Sequence, residues 1–236
     1  MLNIAHRGFK SRYPENTMLA FKKAVETGAD GIEFDVHLSK DGEIVIIHDE
    51  RLDRTTDKSG KIMDFSLDEL KSANAANLYK DIEFEAIPTL REYFEYISDK
   101  KLITNIELKT GIYWYDGIEE KVYRMIREFD IQDKIIISSF NHNSVLKMKE
   151  IDKNIKCGLL VACWLNKPWE YVKKLGVEYY HPAAYAVDKE MVKGLHDNGI
   201  GINVWYGMEP YDFKTTFDLG VDALITDYPD VIKTFK

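Results

Sequence analysis

Cysteine is scarce: the 236-residue chain holds only Cys157 and Cys163. Both belong to one apolar stretch, and two residues on one extended strand cannot bond to each other, so no disulfide framework is expected. Long apolar runs are missing as well. The opening residues 1–8 have no charged segment followed by an apolar one, and no later stretch is long enough to span a bilayer. A cytoplasmic location without stable membrane insertion is the resulting expectation. Positive charge is also in deficit, with 32 Lys and Arg against 40 Asp and Glu and a formal net charge of −8. That balance disfavours nucleic acid and anionic membranes, which reward clustered cations. No low-complexity tract, Pro- or Gly-rich linker or sequence repeat divides the chain. It therefore reads as one domain over residues 1–236, and α/β barrels commonly run to about 200–250 residues. The oligomeric state is not legible.

What is present is a recurring unit: a short apolar run, then an amphipathic stretch. The runs are Leu2–Ala5, Ile32–Val36, Ile103–Leu108, Ile135–Ser138, Cys157–Val161, Val177–Tyr180, Ile200–Val204 and Ala223–Thr226. Helical patterns lie between them at Thr17–Thr27, Ile118–Phe129, Asn143–Ile151, Pro168–Leu175, Asp188–Asn198 and Pro210–Leu219. Gly28, Gly199 and Gly220 follow three of these as helix-ending residues. Alternation of this kind implies a parallel sheet, and eight runs favour a closed (β/α)8 TIM-type barrel over an open doubly wound sheet.

One run breaks the rhythm. Glu43–Ile47 follows the second strand after only Ser39-Lys40-Asp41-Gly42, too few residues for a crossover helix. Asp-Gly is a strong hairpin signal, so Asp41-Gly42 is expected as a two-residue turn before an antiparallel return strand. Paired positions would then total 83, bringing His48 opposite Asp35. Residues 50–87, rich in Gly, Ser, Asp and Lys, read as a small insertion or lid over the barrel mouth.

Barrel enzymes place their chemistry at the C-terminal ends of the strands. The first strand ends in His6-Arg7-Gly8. The second carries Glu33, Asp35 and His37 at alternate positions, on one face, while Ile32, Phe34, Val36 and Leu38 take the other. The third places Asn105, Glu107 and Lys109 together in the same way. Three inward carboxylates would raise one another's pKa and remain costly unless a cation neutralises them. Oxygen donors with no thiol nearby suit Mg2+ or Ca2+ rather than zinc. The alternative is an internal salt-bridge network with Arg7 and Lys109.

His6 and His48 converge on the same rim, where a pair of imidazoles near neutral pKa suits general acid–base work. His37 reads as support behind them or as facing the lid, His181 as a weak candidate for the pocket wall, and His142 and His196 as ordinary residues. Glu15 either belongs to a helix start, with Asn16 or Thr17 as N-cap, or orients His6 or Arg7. Trp205 and Phe140 end strands, where each serves as a wall for a bound molecule or as packing.

Ordered along the chain, Ala5-His6-Arg7-Gly8, Pro14-Glu15-Asn16-Thr17, Glu33-Phe34-Asp35-Val36, Lys40-Asp41-Gly42, His48-Asp49, Arg54-Thr55-Thr56, Ile87-Pro88-Thr89-Leu90, Glu107-Leu108-Lys109, Ser139-Phe140 and Thr226-Asp227-Tyr228-Pro229 resemble the glycerophosphodiester phosphodiesterases. Single tetrapeptides carry little weight, whereas the ordered set from residue 5 to residue 229 carries much. The resemblance implies a barrel with an inserted segment that cleaves glycerophosphodiesters, as a small-molecule substrate, to glycerol 3-phosphate and an alcohol. It implies metal ligands at Glu33, Asp35 and Glu107, a histidine pair at His6 and His48, and phosphate-binding cations at Arg7 and Lys109. After Trp205, Tyr206-Gly207-Met208 departs from the family pattern, at the place of the contacts to glycerol or alcohol. Alternatives are a lysophospholipase D-type or phospholipase C-like enzyme, a non-catalytic phosphodiester-binding barrel and, more weakly, a glycosidase.

Overall fold

Each apolar run becomes a stave of a closed barrel. The computed structural model describes residues 1–207 and 212–235. In chain order the elements are β1 (Leu2–His6), α1 (Met18–Thr27), β2 (Gly31–Leu38), β3 (Ile44–Ile46), α2 (Leu67–Lys71), α3 (Leu90–Ile97), β4 (Ile103–Leu108), α4 (Ile118–Glu128) and β5 (Ile135–Ser139). They continue with α5 (His142–Ile151), β6 (Lys156–Val161), α6 (Pro168–Leu175), β7 (Tyr179–Pro182), α7 (Lys189–Asp197), β8 (Gly201–Trp205), α8 (Phe213–Asp218), β9 (Ala223–Thr226) and α9 (Pro229–Ile232). Strands β1, β2 and β4 to β9 pair in parallel, and β1 bonds to both β9 and β2, which shuts the ring. The expected (β/α)8 TIM-type architecture is what forms.

Local chemistry sets the helix ends. Thr17 caps α1 by accepting from the Ala20 N–H, and Gly28 closes it at φ 82°, a left-handed conformation that favours glycine. Thr89 and Glu92 form a reciprocal capping box at α3. The outward faces of the strands meet these helices: Phe34 of β2 packs 4.5 Å, ring to ring, from Tyr93 of α3, and Phe21 of α1 lies 5.1 Å from Tyr93. All three rings are fully buried, and removing a core aromatic of this kind typically costs about 3–5 kcal/mol.

Two expectations need correction. β7 starts at Tyr179, two residues later than the apolar run, because Gly176 ends α6 in the left-handed conformation and the Val177 N–H still bonds back to the Val172 carbonyl. The β2–β3 hairpin has the expected antiparallel sense but the register slips by one. Val36 faces Ile46, His37 faces Val45 and Leu38 faces Ile44, so paired positions total 82. Lys40, Asp41 and Gly42 together make a three-residue loop: the Ser39 N–H donates to the Glu43 carbonyl, and Gly42 takes φ 82°. Asp41 is drawn into side-chain bonds instead, accepting from the Ser39 hydroxyl and the Leu67 N–H at the start of α2. Ile47, not His48, is level with Asp35, and its N–H donates to the Asp35 carbonyl. The helix expected over Pro210–Leu219 begins, within the described residues, at Phe213; Pro210 and Tyr211 lie outside them, as does Met208.

Residues 50–87 carry α2, a bridge between Arg51 and Lys61 and another between Asn74 and Ala86. Leu52, Ile62, Leu70, Ala73 and Ala75 bury with Val45 of β3 and Ile47 just after it in a small core separate from the main one. The hairpin thus serves as the foundation on which this segment stands.

Candidate functional site

Alternation along β2 and β4 turns Glu33, Asp35 and Glu107 into the barrel mouth, and Asp35 pairs directly with Glu107 across the two strands. One oxygen from each of the three lies within 4.8 Å of the others, and all three side chains are buried. Burial, together with the charges of Asp35 and Glu107, pushes the Glu33 carboxyl well above the usual range. Burial raises Glu107 too, against the pull of Lys109. Burial also opposes ionisation of Asp35, yet His48, Lys109, Arg7 and a hydrogen bond from Asn16 hold it far below the usual carboxylate range. Asp35 Oδ1 has no hydrogen-bond partner among the described residues. A buried oxygen left open beside two carboxylates under mutual repulsion fits a hard divalent cation.

The cations that the sequence placed here are here. Arg7 Nε lies 3.5 Å from Asp35 Oδ2, and Lys109 Nζ lies 3.0 Å from Glu107 Oε1 and 3.7 Å from Asp35 Oδ1. The salt-bridge network foreseen as an alternative therefore exists alongside the carboxylate trio. Arg7 adopts φ 54°, uncommon for a residue with a side chain. Its N–H donates to the Glu33 carbonyl and its carbonyl accepts from Asn16, which fixes that conformation. Next to it Gly8, at φ 79°, passes so close to α1 that an added Cβ would sit 2.8 Å from Ala20. Glu15 turns to Arg7 rather than to His6, accepting from Arg7 Nη1 at 2.9 Å, and Thr17 is the helix cap.

Each histidine of the pair uses Nδ1 to hold a carboxylate. His6 Nδ1 is 2.6 Å from Asp227 Oδ1, and His48 Nδ1 is 2.6 Å from Asp49 Oδ1. With Nδ1–H donating, Nε2 is left as the acceptor on both rings. That of His6 lies 3.9 Å from Glu33 Oε2, and that of His48 accepts from Lys109 Nζ at 3.3 Å. Burial, reinforced by the charge of Arg7, lowers the His6 pKa against the pull of Asp227. Asp227, although burial alone would raise it, is held down to about 2 by His6 and Lys10.

A cavity of about 240 Å3 is lined by His6, Arg7, Glu33, His48, Asn105, Glu107, Phe140, Leu160, Trp205, Gly207 and Ile225. Phe140 and Trp205 meet edge to face at 5.7 Å and form one side of it. Asp35, Lys109 and Glu15 are not on its wall. His37 is wholly buried and sits between the Tyr115 hydroxyl and the His48 carbonyl; burial lowers its pKa to about 4. His181 does not line the cavity: it is buried against Asn203, with Gly158 leaving room for its ring. His142 and His196 bond to Tyr171 and Asp222 respectively. Reading the sequence missed roles for Asn16, Asp49, Arg54 and Asp227. For Asp227 a signal existed, since it follows directly on β9 and keeps the alternation of Ala223 and Ile225.

Fold and mouth together define a TIM-type barrel with a buried acidic trio, two cations and two carboxylate-held histidines around one small cavity. The chain belongs to the glycerophosphoryl diester phosphodiesterase family, whose profile matches residues 6–231. A glycerophosphodiester phosphodiesterase of Caldanaerobacter subterraneus subsp. tengcongensis is 44% identical over 232 residues, covering 98% of this chain and 96% of that protein. Another, from Bacillus altitudinis, is 41% identical over 96% of this chain and 94% of its own length. Among solved structures, a phosphodiesterase of Oleispira antarctica in complex with the product sn-glycerol-3-phosphate superposes with a TM-score of 0.83 at 30% identity, covering 98% of this chain and 94% of that one. Among the described residues no helix is long and apolar enough to cross a membrane.

Proposed function

We propose that this chain hydrolyses glycerophosphodiesters to sn-glycerol 3-phosphate and an alcohol, with a divalent cation held by Glu33, Asp35 and Glu107. The observation that carries the proposal is the matched pair of imidazoles, each locked by a carboxylate on Nδ1, on the wall of a cavity that also holds two of the acidic ligands. The oxygen-only donor set supports Mg2+ or Ca2+. Bound there, the ion would offset the carboxylate charge and polarise the phosphoryl oxygens.

Arg7, on the cavity wall, binds the phosphate, and Lys109, just behind the wall against Glu107 and His48, helps to balance the charge that grows on it in the transition state. One imidazole takes the proton from the attacking oxygen as its bond to phosphorus forms. The other, entering the step as the imidazolium with Nε2 also protonated, gives that proton to the ester oxygen as the bond from phosphorus to the alcohol breaks, while its Nδ1–H stays on its carboxylate. Such proton transfer is worth roughly 10²–10⁴ in rate. Trp205 and Phe140 wall the glycerol or alcohol arm. We read residues 1–236 as one catalytic unit in which residues 50–87 stand over the mouth, supported by the contacts of Arg54 with Glu15 and Asp49. The free thiols of Cys157 and Cys163 support a reducing, cytoplasmic setting.

The test is release of sn-glycerol 3-phosphate from glycerophosphocholine with Mg2+, with Ca2+ and with a chelator. Turnover should require one of the ions, and the better one names the metal; full turnover in chelator contradicts the proposed site. His6→Ala and His48→Ala should each lose roughly 10²-fold or more in kcat while calorimetric metal binding persists. A lysophospholipid is the second substrate to assay, because Ile112, Trp114, Phe140, Trp164 and Tyr185, on the loops after β4 to β7, expose large apolar side chains around the mouth. Cleavage of that lipid with silence on glycerophosphocholine would move the assignment.

A further inference from the structure

Arg54 belongs to the segment between the hairpin and α3, outside the barrel, yet its side chain reaches two residues that hold the site. Its Nε and Nη2 grip Asp49 at 2.7 and 2.9 Å in a two-pronged fork. Nη1 and Nη2 also donate to Glu15, at 3.0 and 2.7 Å. Glu15 in turn holds Arg7, and Asp49 holds Nδ1 of His48. The remaining links run through the barrel: Arg7 to Asp35, Asp35 to Lys109, and Lys109 to His48. A closed circuit of seven side chains results, and Arg54 is its one member from residues 50–87.

Geometry gives the reason for an arginine here. A carboxylate beside His48 can orient the ring only if it is itself held, and Asp49 is partly solvent-exposed, as is His48. The planar guanidinium fork fixes both carboxylate oxygens, and its remaining hydrogens reach a second carboxylate in the same plane. An ammonium at the same place is a point charge without that fork. Arg54 neither lines the cavity nor belongs to the carboxylate trio.

We propose that Arg54 is a positioning residue for the hydrolysis: through Asp49 it fixes the Nδ1–H tautomer and orientation of His48, and through Glu15 it fixes Arg7. The catalytic half of this statement rests on the proposed function, whereas the tautomer half stands on the contacts alone. Two measurements on the full chain separate them. In nitrogen NMR of histidine-labelled protein, His48, assigned by its loss in His48→Gln, should show the Nδ1–H tautomer and should shift toward a mixture in Arg54→Ala. In Mg2+- or Ca2+-supported turnover of glycerophosphocholine, Arg54→Ala should lower kcat about 10–100-fold, the range seen when groups orienting site residues are removed. KM should stay within about threefold and the metal-activation midpoint should not move.

Arg54→Lys should fall between wild type and Arg54→Ala, and it preserves a charge where the alanine variant fails to fold. Dilute guanidinium should restore part of the lost kcat in Arg54→Ala and none in Asp49→Asn. An unchanged His48 tautomer, or undiminished kcat in an active enzyme, overturns the proposal. A tautomer that shifts in a protein inactive on the substrate upholds the positioning role and rejects the substrate assignment instead.

Discussion

The two histidines of the mouth are held alike but built differently. His6 takes its carboxylate from Asp227, 221 residues away and buried where β9 flanks β1. His48 takes its carboxylate from the next residue, half-exposed, and that carboxylate is clamped from outside by Arg54. The first support is made by closing the barrel; the second is assembled on a hairpin by a segment with its own small core. One half of the site is therefore as rigid as the fold, while the other depends on how well residues 50–87 dock. Local stability differs in the same sense across many folds, with loop-built parts opening more readily than core strands.

The sharpest way to break this comparison is Asp227→Asn. It removes a buried charge and lets the ring of His6 turn, so kcat should fall about 10–100-fold with little change in metal binding, measured as initial rates beside calorimetry. Asp49→Asn should cost less, because at an exposed position water can take over as acceptor for the His48 Nδ1–H; equal losses would erase the distinction between the two halves. Smaller still is a salt effect: about 0.5 M NaCl should lower the rate of wild type more than that of Asp49→Asn, since screening acts on the exposed ion pairs and hardly on the buried dyad.

Acidification probes the ground beneath His48. Burial lowers the His37 pKa to about 4 from its ordinary value of 6.5, so the unfolded chain takes up a proton that the folded one refuses. Stability contributed by the neutral ring is complete above about pH 6.5 and is lost as pH falls toward 4, by up to about 1.4 kcal/mol per unit. Urea unfolding across that window should show a shallower slope in His37→Gln than in wild type. An identical slope would mean that His37 is protonated where it lies.

The barrel and the acidic trio were legible because both rest on period-two alternation, which survives any tertiary detail: Glu33, Asp35 and Glu107 face inward as their spacing requires. The hairpin sense was legible from Asp41-Gly42, but its register was not. Whether Gly42 is the second residue of a two-residue turn or the left-handed third of a longer one depends on what Asp41 bonds to, and its partner Leu67 lies 26 residues on. Glu15 could be placed near the rim from sequence, yet its choice of Arg7 over His6 is decided by packing. The partners Asp227 and Arg54 are brought in by contacts spanning 221 and 39 residues, and no local pattern carries those pairings.

The neighbourhood of β1 and β9 also has a consequence for biogenesis. A chain emerging from the ribosome folds from its N-terminal side as length permits, and His48, Asp49 and Arg54 are available early. His6 is made earlier still but must wait for Asp227 to leave the exit tunnel before its ring is fixed. The nascent protein can thus carry the support of one histidine before that of the other, and β9, the last strand to arrive, completes the pair.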